Sequence, residues 1–277
     1  TLVKQFIQHG NVIEHCPANI YWTSIAKKYD YENEAMKLGK LFEHLALDMP
    51  GNAPAMPRHK ITGKPLTKTL RARQQAEVFR SDAKELGMTI APEFNTQVTV
   101  IKRWEKNPKW ILKGVFDLFP TAMYTMESME LNIVDLKLTG NINNVFGNFS
   151  WGNPEAIDHL QAVMYHYLVK DIDFKLNDQY NEGNYLREIF TDEVQEAIRN
   201  DAYSFRYMID DLSEQLSKKI IKVEVDSIRY AQMHESIRKT TNLIEEYNKA
   251  KWPYNPCNVC AKCPVTHCIQ RSMEIVL

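Results

Sequence analysis

Apolar residues recur at helical spacing through residues 3–29, with a break around Cys16-Pro17 and the run Ile20-Tyr-Trp-Thr-Ser-Ile25 continuing the apolar face. A second helix is predicted over 34–48, with Leu38, Leu41, Phe42 and Leu45 turned inward. Pro50, Gly51, Pro54, Pro57, Gly63 and Pro65 make residues 49–65 a loop, and a helix over about 68–86 ends at Gly87. The pattern then changes. Thr96–Ile101, Trp110–Phe119 and Leu131–Leu138 are rich in β-formers and bounded by turn residues, with 120–130 fitting an antiparallel connection. Residues 140–154 are Gly/Asn/Pro-rich and irregular, and Trp151 within them is a loop anchor or a base-stacking platform. A helix over 155–170, one more strand over 184–190 and long helical patterns at 192–217 and 229–250 complete the chain before Trp252-Pro253 and a cysteine-rich tail. There is no internal repeat and no low-complexity segment.

At 277 residues and 44% hydrophobic content, the chain suffices for one large domain with a real core, and the expected division is a core over about 30–190 and a helical extension over 191–277. No run approaches the ~18 apolar residues of a membrane span. The first residues lack the architecture of a signal peptide, so a cytoplasmic location is expected. The net charge of −1 gives no global attraction to nucleic acid, but a local track can hold phosphates. Arg58, Lys60, Lys64, Lys68, Arg71 and Arg73 form such a track with no acid between them; Lys218, Lys219 and Lys222 read as a solvated surface. Cys16 stands alone, whereas Cys257, Cys260, Cys263 and Cys268 crowd the last residues. Repeated Cys-x-x-Cys spacing in a chain expected inside a cell reads as metal or cluster ligation rather than disulfides.

The chemistry centres on Gly114-Val-Phe-Asp117 and Ile133-Val-Asp135-Leu-Lys137. Side chains alternate along a strand, so Asp135 and Lys137 share a face while Leu136 points into the core. Asp117 stands among Val115, Phe116, Leu118 and Phe119, and a carboxylate in an apolar strand needs a partner. Two carboxylates and an amine at one sheet edge suit a hard divalent cation and an attacked phosphodiester. Upstream, Glu43 and His44 lie on a predicted helix; downstream, Gln161 and Tyr165 share one helical face.

In this order (helix with Glu/His, strand with Gly-x-x-Asp, strand with Asp-x-Lys, helix with Gln-x-x-x-Tyr) the chain resembles the PD-(D/E)XK nuclease superfamily, and within it the RecB-type branch. The resemblance implies an α/β, restriction-endonuclease-like core with a central mixed sheet flanked by helices, and Mg²⁺- or Mn²⁺-dependent cleavage of DNA. Glu43, Asp117, Asp135 and the backbone carbonyl of Leu136 would be metal ligands. Lys137 would be the general base or electrostatic residue, and Gln161 and Tyr165 would organise the site. RecB-type enzymes carry a histidine where Gly39-Lys-Leu-Phe places Glu43, so His44, about 100° further round the helix, is the second choice of ligand. Some members bind a [4Fe–4S] cluster through one N-terminal and three C-terminal cysteines. Cys16-Pro17 and Cys260-x-x-Cys263-Pro-x-x-x-Cys268 resemble those elements, with Cys257 as a substitute ligand and the cluster as a staple closing the tail onto the first helix. The other metal reading is zinc held by Cys257, Cys260, Cys263 and Cys268, with His267 as a further donor. The implied activity is exonucleolytic, on DNA with a free end, in phage-type recombination, repair or replication beside a recombination or single-strand-annealing protein. Oligomerisation is left open. A structure-specific endonuclease, an end-trimming nuclease, a non-catalytic DNA-binding scaffold and a zinc-ribbon interaction protein are the rival readings.

Overall fold

The computed structural model describes residues 16–21, 25–28, 33–85, 88–92, 94–119, 131–143, 159–180 and 186–253. They divide into two compact units, one spanning Glu34–Arg229 and the other made of the segments before Asn33 and after Tyr230.

The larger unit begins with helices α2 (Glu34–Ala46) and α3 (Thr67–Glu85), which follow the short α1 (Pro17–Ile20) of the smaller unit. Its strands β1 (Thr96–Arg103), β2 (Ile111–Leu118) and β3 (Leu131–Thr139) lie where the alternation of apolar residues predicts them. Next come α4 (His159–Val169), α5 (Phe174–Tyr180), α6 (Leu186–Ile189) and α7 (Asp192–Arg199), then β4 (Tyr203–Asp211) and β5 (Lys218–Val223). The long α8 (Ser227–Lys249) leads out of the unit. The five strands form one mixed sheet in the order β1-β2-β3-β4-β5. β3 and β4 are parallel, and the other neighbours are antiparallel. Helices flank this sheet, as an α/β architecture requires.

The expected long helix over 192–217 is not formed. Thr191 caps α7 by accepting from the Val194 N–H, the helix stops at Arg199, and two strands follow. β4 is buried along nearly its whole length, and in sequence Tyr203, Phe205, Tyr207 and Ile209 alternate with Ser204, Arg206 and Asp210; with no glycine or proline between Arg199 and Tyr203 to mark a break, that short run is absorbed into the helical pattern before it. β5 is the edge strand; Lys218 and Lys222 are exposed on it, as a solvated surface requires, whereas Lys219 is buried, against that reading. The strand expected over 184–190 is also corrected: Leu186, Ile189 and Phe190 are buried at helical spacing around α6. β4 and β5, which lie beyond residue 190, belong to the sheet, and the larger unit runs to Arg229.

α2 and α3 cover one face. Leu38, Phe42, Ala72, Ala76 and Phe79 pack there against Val134, Leu136 and Met208 of the sheet. The small alanines let α3 lie close to its neighbours. Around the other side, Tyr165 of α4 stacks near Phe116 (4.4 Å between centroids) and Phe205 (5.6 Å). Lys102 of β1 donates to the carbonyls of Tyr167 and Lys170, neutralising the negative C-terminal end of α4 and fixing it to the sheet. The β4–β5 turn is organised by the buried Asp211 carboxylate, which accepts from Ser213 and Ser217 N–H groups at 3.1 and 2.9 Å. Arg71 and Gln75 of α3 donate to the carbonyls of Leu212 and Asp211.

In the smaller unit, Cys16 is buried and α1 follows it directly. The Ala18 N–H donates to the Pro253 carbonyl at 3.2 Å, and Ile20 packs with Trp252. The cysteines after 253, and Trp151 of the larger unit, lie outside the described residues. No described helix is long and apolar enough to cross a membrane.

The open edge of β1 is closed by a side chain. Asn177 of α5 accepts from the Ile101 N–H and donates to the Ile101 carbonyl, both at 2.8 Å, as a neighbouring strand would. Asn177→Ala strands both buried groups, and a loss of about 1–3 kcal/mol is expected, seen as a lower urea midpoint at unchanged m-value.

Candidate active site

Among the described residues the β2–β3 register has one facing pair, Leu118 and Val134, and it does not continue toward Phe116 and Leu136, whereas β1–β2 and β3–β4 pair along their lengths. At this fork the Asp117 carboxylate supplies the missing link: its Oδ2 accepts from the Leu136 N–H at 2.8 Å. The Tyr165 hydroxyl donates to the Val115 carbonyl at 2.6 Å, tying α4 to the same stretch of β2. Gly114 makes that approach possible. A Cβ there would stand 2.5 Å from Leu168 Cδ1 and 3.0 Å from the Tyr165 ring. The glycine of the Gly-x-x-Asp element thus serves helix–sheet packing.

Asp135 and Lys137 sit side by side on β3, as their spacing predicts. Asp135 is 2% exposed. Its Oδ1 accepts from Gln161 Nε2 at 2.7 Å, and its Oδ2 pairs with Lys137 Nζ. The ammonium also lies 5.5 Å from the centre of the Tyr207 ring on the adjacent β4. Leu136 points the other way, into the layer of α2 and α3. The third carboxylate arrives from α2. Glu43 Oε1 accepts from Gln97 Nε2, and the same nitrogen donates to Asp117 Oδ1 at 3.0 Å.

Burial and mutual repulsion set the electrostatics. Burial first, and then the neighbouring Glu43 carboxylate, push Asp117 up to about 7. Lys137 and the hydrogen bonds from Leu136 and Gln97 pull the other way. Burial and then Asp135 likewise hold Glu43 above the ordinary carboxylate range. Burial and the charge of Asp135 raise the Tyr165 phenol too, which keeps it a donor.

Of the residues singled out from sequence, Glu43, Asp117, Asp135, Lys137, Gln161 and Tyr165 are therefore linked through one network around the fork. His44 contributes no side-chain hydrogen bond or ion pair to it among the described residues. Gln97 was not foreseen. It occupies one position of an ordinary-looking Thr-Gln-Val-Thr-Val alternation, and nothing in that pattern marks it; its backbone does, with φ of +53°. Among the described residues no three acid, histidine or cysteine side chains already stand at coordinating range of one point. Gln97 joins Glu43 to Asp117, and Lys137 covers Asp135. The side-chain donor set is nonetheless all carboxylate oxygen, the chemistry that Mg²⁺ and Mn²⁺ prefer.

The basic track divides. Arg58, Lys60 and Lys64 are exposed on an ordered turn, closed by His59 N–H to the Lys64 carbonyl (2.8 Å) and Gly63 N–H to the His59 carbonyl (2.9 Å). Arg71 instead is committed to the Leu212 carbonyl and Glu214.

No protein-family model matches this chain, and no curated protein matches it. Among solved structures, it is similar to a candidate exonuclease from Eubacterium rectale, at 12% identity and a TM-score of 0.48, over 95% of this chain and 91% of that one.

A carboxyl group raised by the fold holds a proton that the unfolded chain has already released. Its contribution therefore favours the fold at low pH, and that support is lost between the ordinary 3.8 and about 7, with no further change above. Asp117→Asn removes this dependence. In metal-free urea titrations, the stability of the variant relative to the native chain is expected to climb from about pH 4 to about 7 and then level. Asp210, raised to about 7 chiefly by burial, is present in both proteins and cancels. A relative stability independent of pH would contradict the assigned environment.

Proposed function

We propose that this protein is a divalent-metal-dependent deoxyribonuclease of the PD-(D/E)XK, RecB-type class, acting as an exonuclease on DNA ends in phage-type recombination, repair or replication. The observation that supports it most is the meeting of Glu43, Asp117 and Asp135, from three separate elements, with Lys137 on the same strand face as Asp135. Asp117 also serves the fold through the Leu136 N–H, but three acids so close together, with Lys137 as the cation paired to Asp135, leave negative charge that a bound metal ion would offset.

In this reading Glu43, Asp117, Asp135 and the Leu136 carbonyl hold Mg²⁺ or Mn²⁺. The bound ion would polarise the scissile phosphate and lower the pKa of an attacking water. The chain's own groups do the rest. Gln161 fixes the carboxylate plane of Asp135 through Oδ1. Lys137 Nζ, drawn to Asp135 Oδ2, sits where an ammonium can orient a water or offset charge growing on the phosphate. Tyr165 holds β2, and with it Asp117, against α4. The exposed Arg58, Lys60 and Lys64 provide phosphate contacts away from the acids.

We further propose that Cys16 with Cys260, Cys263 and Cys268 holds a [4Fe–4S] cluster, Cys257 being the substitute ligand. Cys16 is buried, and the Ala18 N–H, two residues on, donates to the carbonyl of Pro253, which precedes the cysteine-rich stretch in sequence. A brown protein absorbing broadly near ~400 nm after anaerobic purification is expected; a colourless protein carrying zinc removes the cluster.

The activity test is digestion of end-labelled linear and covalently closed circular DNA with Mg²⁺ or Mn²⁺. Loss of linear DNA alone is expected, with Asp135→Ala and Lys137→Ala each lowering the rate by at least about 100-fold. Cutting of circles as well moves the function to an endonuclease. No metal-dependent cleavage of any DNA leaves a DNA-binding scaffold.

A further inference from the structure

We infer that Gln97 is a positioning residue of this site: its side-chain amide sets Glu43 and Asp117 in the orientation that receives a divalent cation. The inference rests on the metal-dependent reading above and adds to it a residue that none of the sequence elements contains.

The geometry is specific. A single nitrogen, Nε2, donates to Glu43 Oε1 and to Asp117 Oδ1. Both acceptors are carboxylate oxygens, so only the NH₂ end of the amide can face them. Gln97 stands on β1 between the pairs Thr96–Leu118 and Val98–Phe116, directly across from Asp117 on β2. It cannot leave without unmaking the sheet edge that carries Asp117. Its reach to Glu43 spans from the sheet to α2, and so joins two layers that would otherwise place their acids independently.

The backbone points the same way. Gln97 has φ of +53°, in the left-handed region where glycine is at ease and a longer side chain is strained. A glutamine held there costs stability that a glycine would not. The compensating gain lies in what its side chain touches, two carboxyl groups of the candidate active site. Strain concentrated at such a position is what a functional constraint leaves in a strand that is otherwise regular.

What the amide does follows from hydrogen-bond chemistry. A carboxylate that ligates a metal is commonly oriented by a donor on its other oxygen or other lone pair. For Asp117, Gln97 holds Oδ1 and the Leu136 N–H holds Oδ2, so the plane of the group is fixed from both sides. For Glu43, Gln97 fixes Oε1 and leaves Oε2 unengaged by it. A neutral donor is suited to the task. A lysine or arginine here would itself neutralise the two acids and displace the cation, whereas an amide steadies them and leaves their charge for the ion.

The test is calorimetric titration of the full chain with Mn²⁺ alone, without DNA, for the native protein, Gln97→Gly and Gln97→Met, beside metal-free thermal unfolding of each. Mn²⁺ affinity is expected to fall about 10–100-fold in both variants. Gln97→Gly is expected to unfold at the native temperature or above it, because glycine relieves the left-handed backbone. Gln97→Met keeps the side-chain length without the amide. Weakened Mn²⁺ binding in a glycine variant of undiminished stability separates positioning from a general structural role. Native-like Mn²⁺ affinity in either folded variant overturns the assignment of Gln97 and leaves the metal site standing. Absence of Mn²⁺ binding in the native chain overturns the metal reading itself, and this assignment with it.

Discussion

Everything about the site depends on two antiparallel strands that separate. Where β2 and β3 diverge, backbone groups that would have paired with each other must find other partners. Asp117 answers the Leu136 N–H, and Tyr165 answers the Val115 carbonyl. The fork opens a place in the sheet where side chains of both strands and of α2 and α4 can meet, which a continuous ladder would have closed. The acids are therefore part of the fold's own hydrogen-bond economy as well as of the chemistry. Removing Asp117 would take away a carboxylate and a strand-to-strand link together.

The same arrangement concentrates negative charge. Glu43, Asp117 and Asp135 are brought close in a setting where burial disfavours ionisation, and the fold offsets this only in part, with Lys137, Gln97 and Gln161. In the proposed reading, a cation bound there would relieve the remaining repulsion. The helices on either side supply rigidity: α4 is tied to β1 by Lys102 at its C-terminal end and to β2 by the close approach that Gly114 permits.

The parts of the site that could be read from the chain are those governed by local geometry. Two-residue alternation puts Asp135 and Lys137 on one face and Leu136 in the core, and four-residue helical spacing puts Gln161 and Tyr165 together; both hold in the structure. The link from Glu43 through Gln97 to Asp117 is a long-range contact that helical spacing around Glu43 and His44 does not reveal. Gln97 itself was invisible, because its importance lies in a backbone angle and a cross-strand partner that composition does not encode. β4 was hidden for a different reason. Tyr203, Phe205, Tyr207 and Ile209 do alternate with Ser204, Arg206 and Asp210, but no glycine or proline separates them from α7, so the two elements read as one helical pattern.

The central claim is that the carboxylates at the β2–β3 fork bind a divalent metal ion. Anomalous diffraction from crystals of the full chain grown with Mn²⁺ tests it most directly. The account expects a manganese peak coordinated by carboxylate oxygens of Asp117 and Asp135, with Glu43 contributing directly or through water. No peak at the fork under saturating Mn²⁺, in crystals where all three carboxylates are ordered, would contradict it.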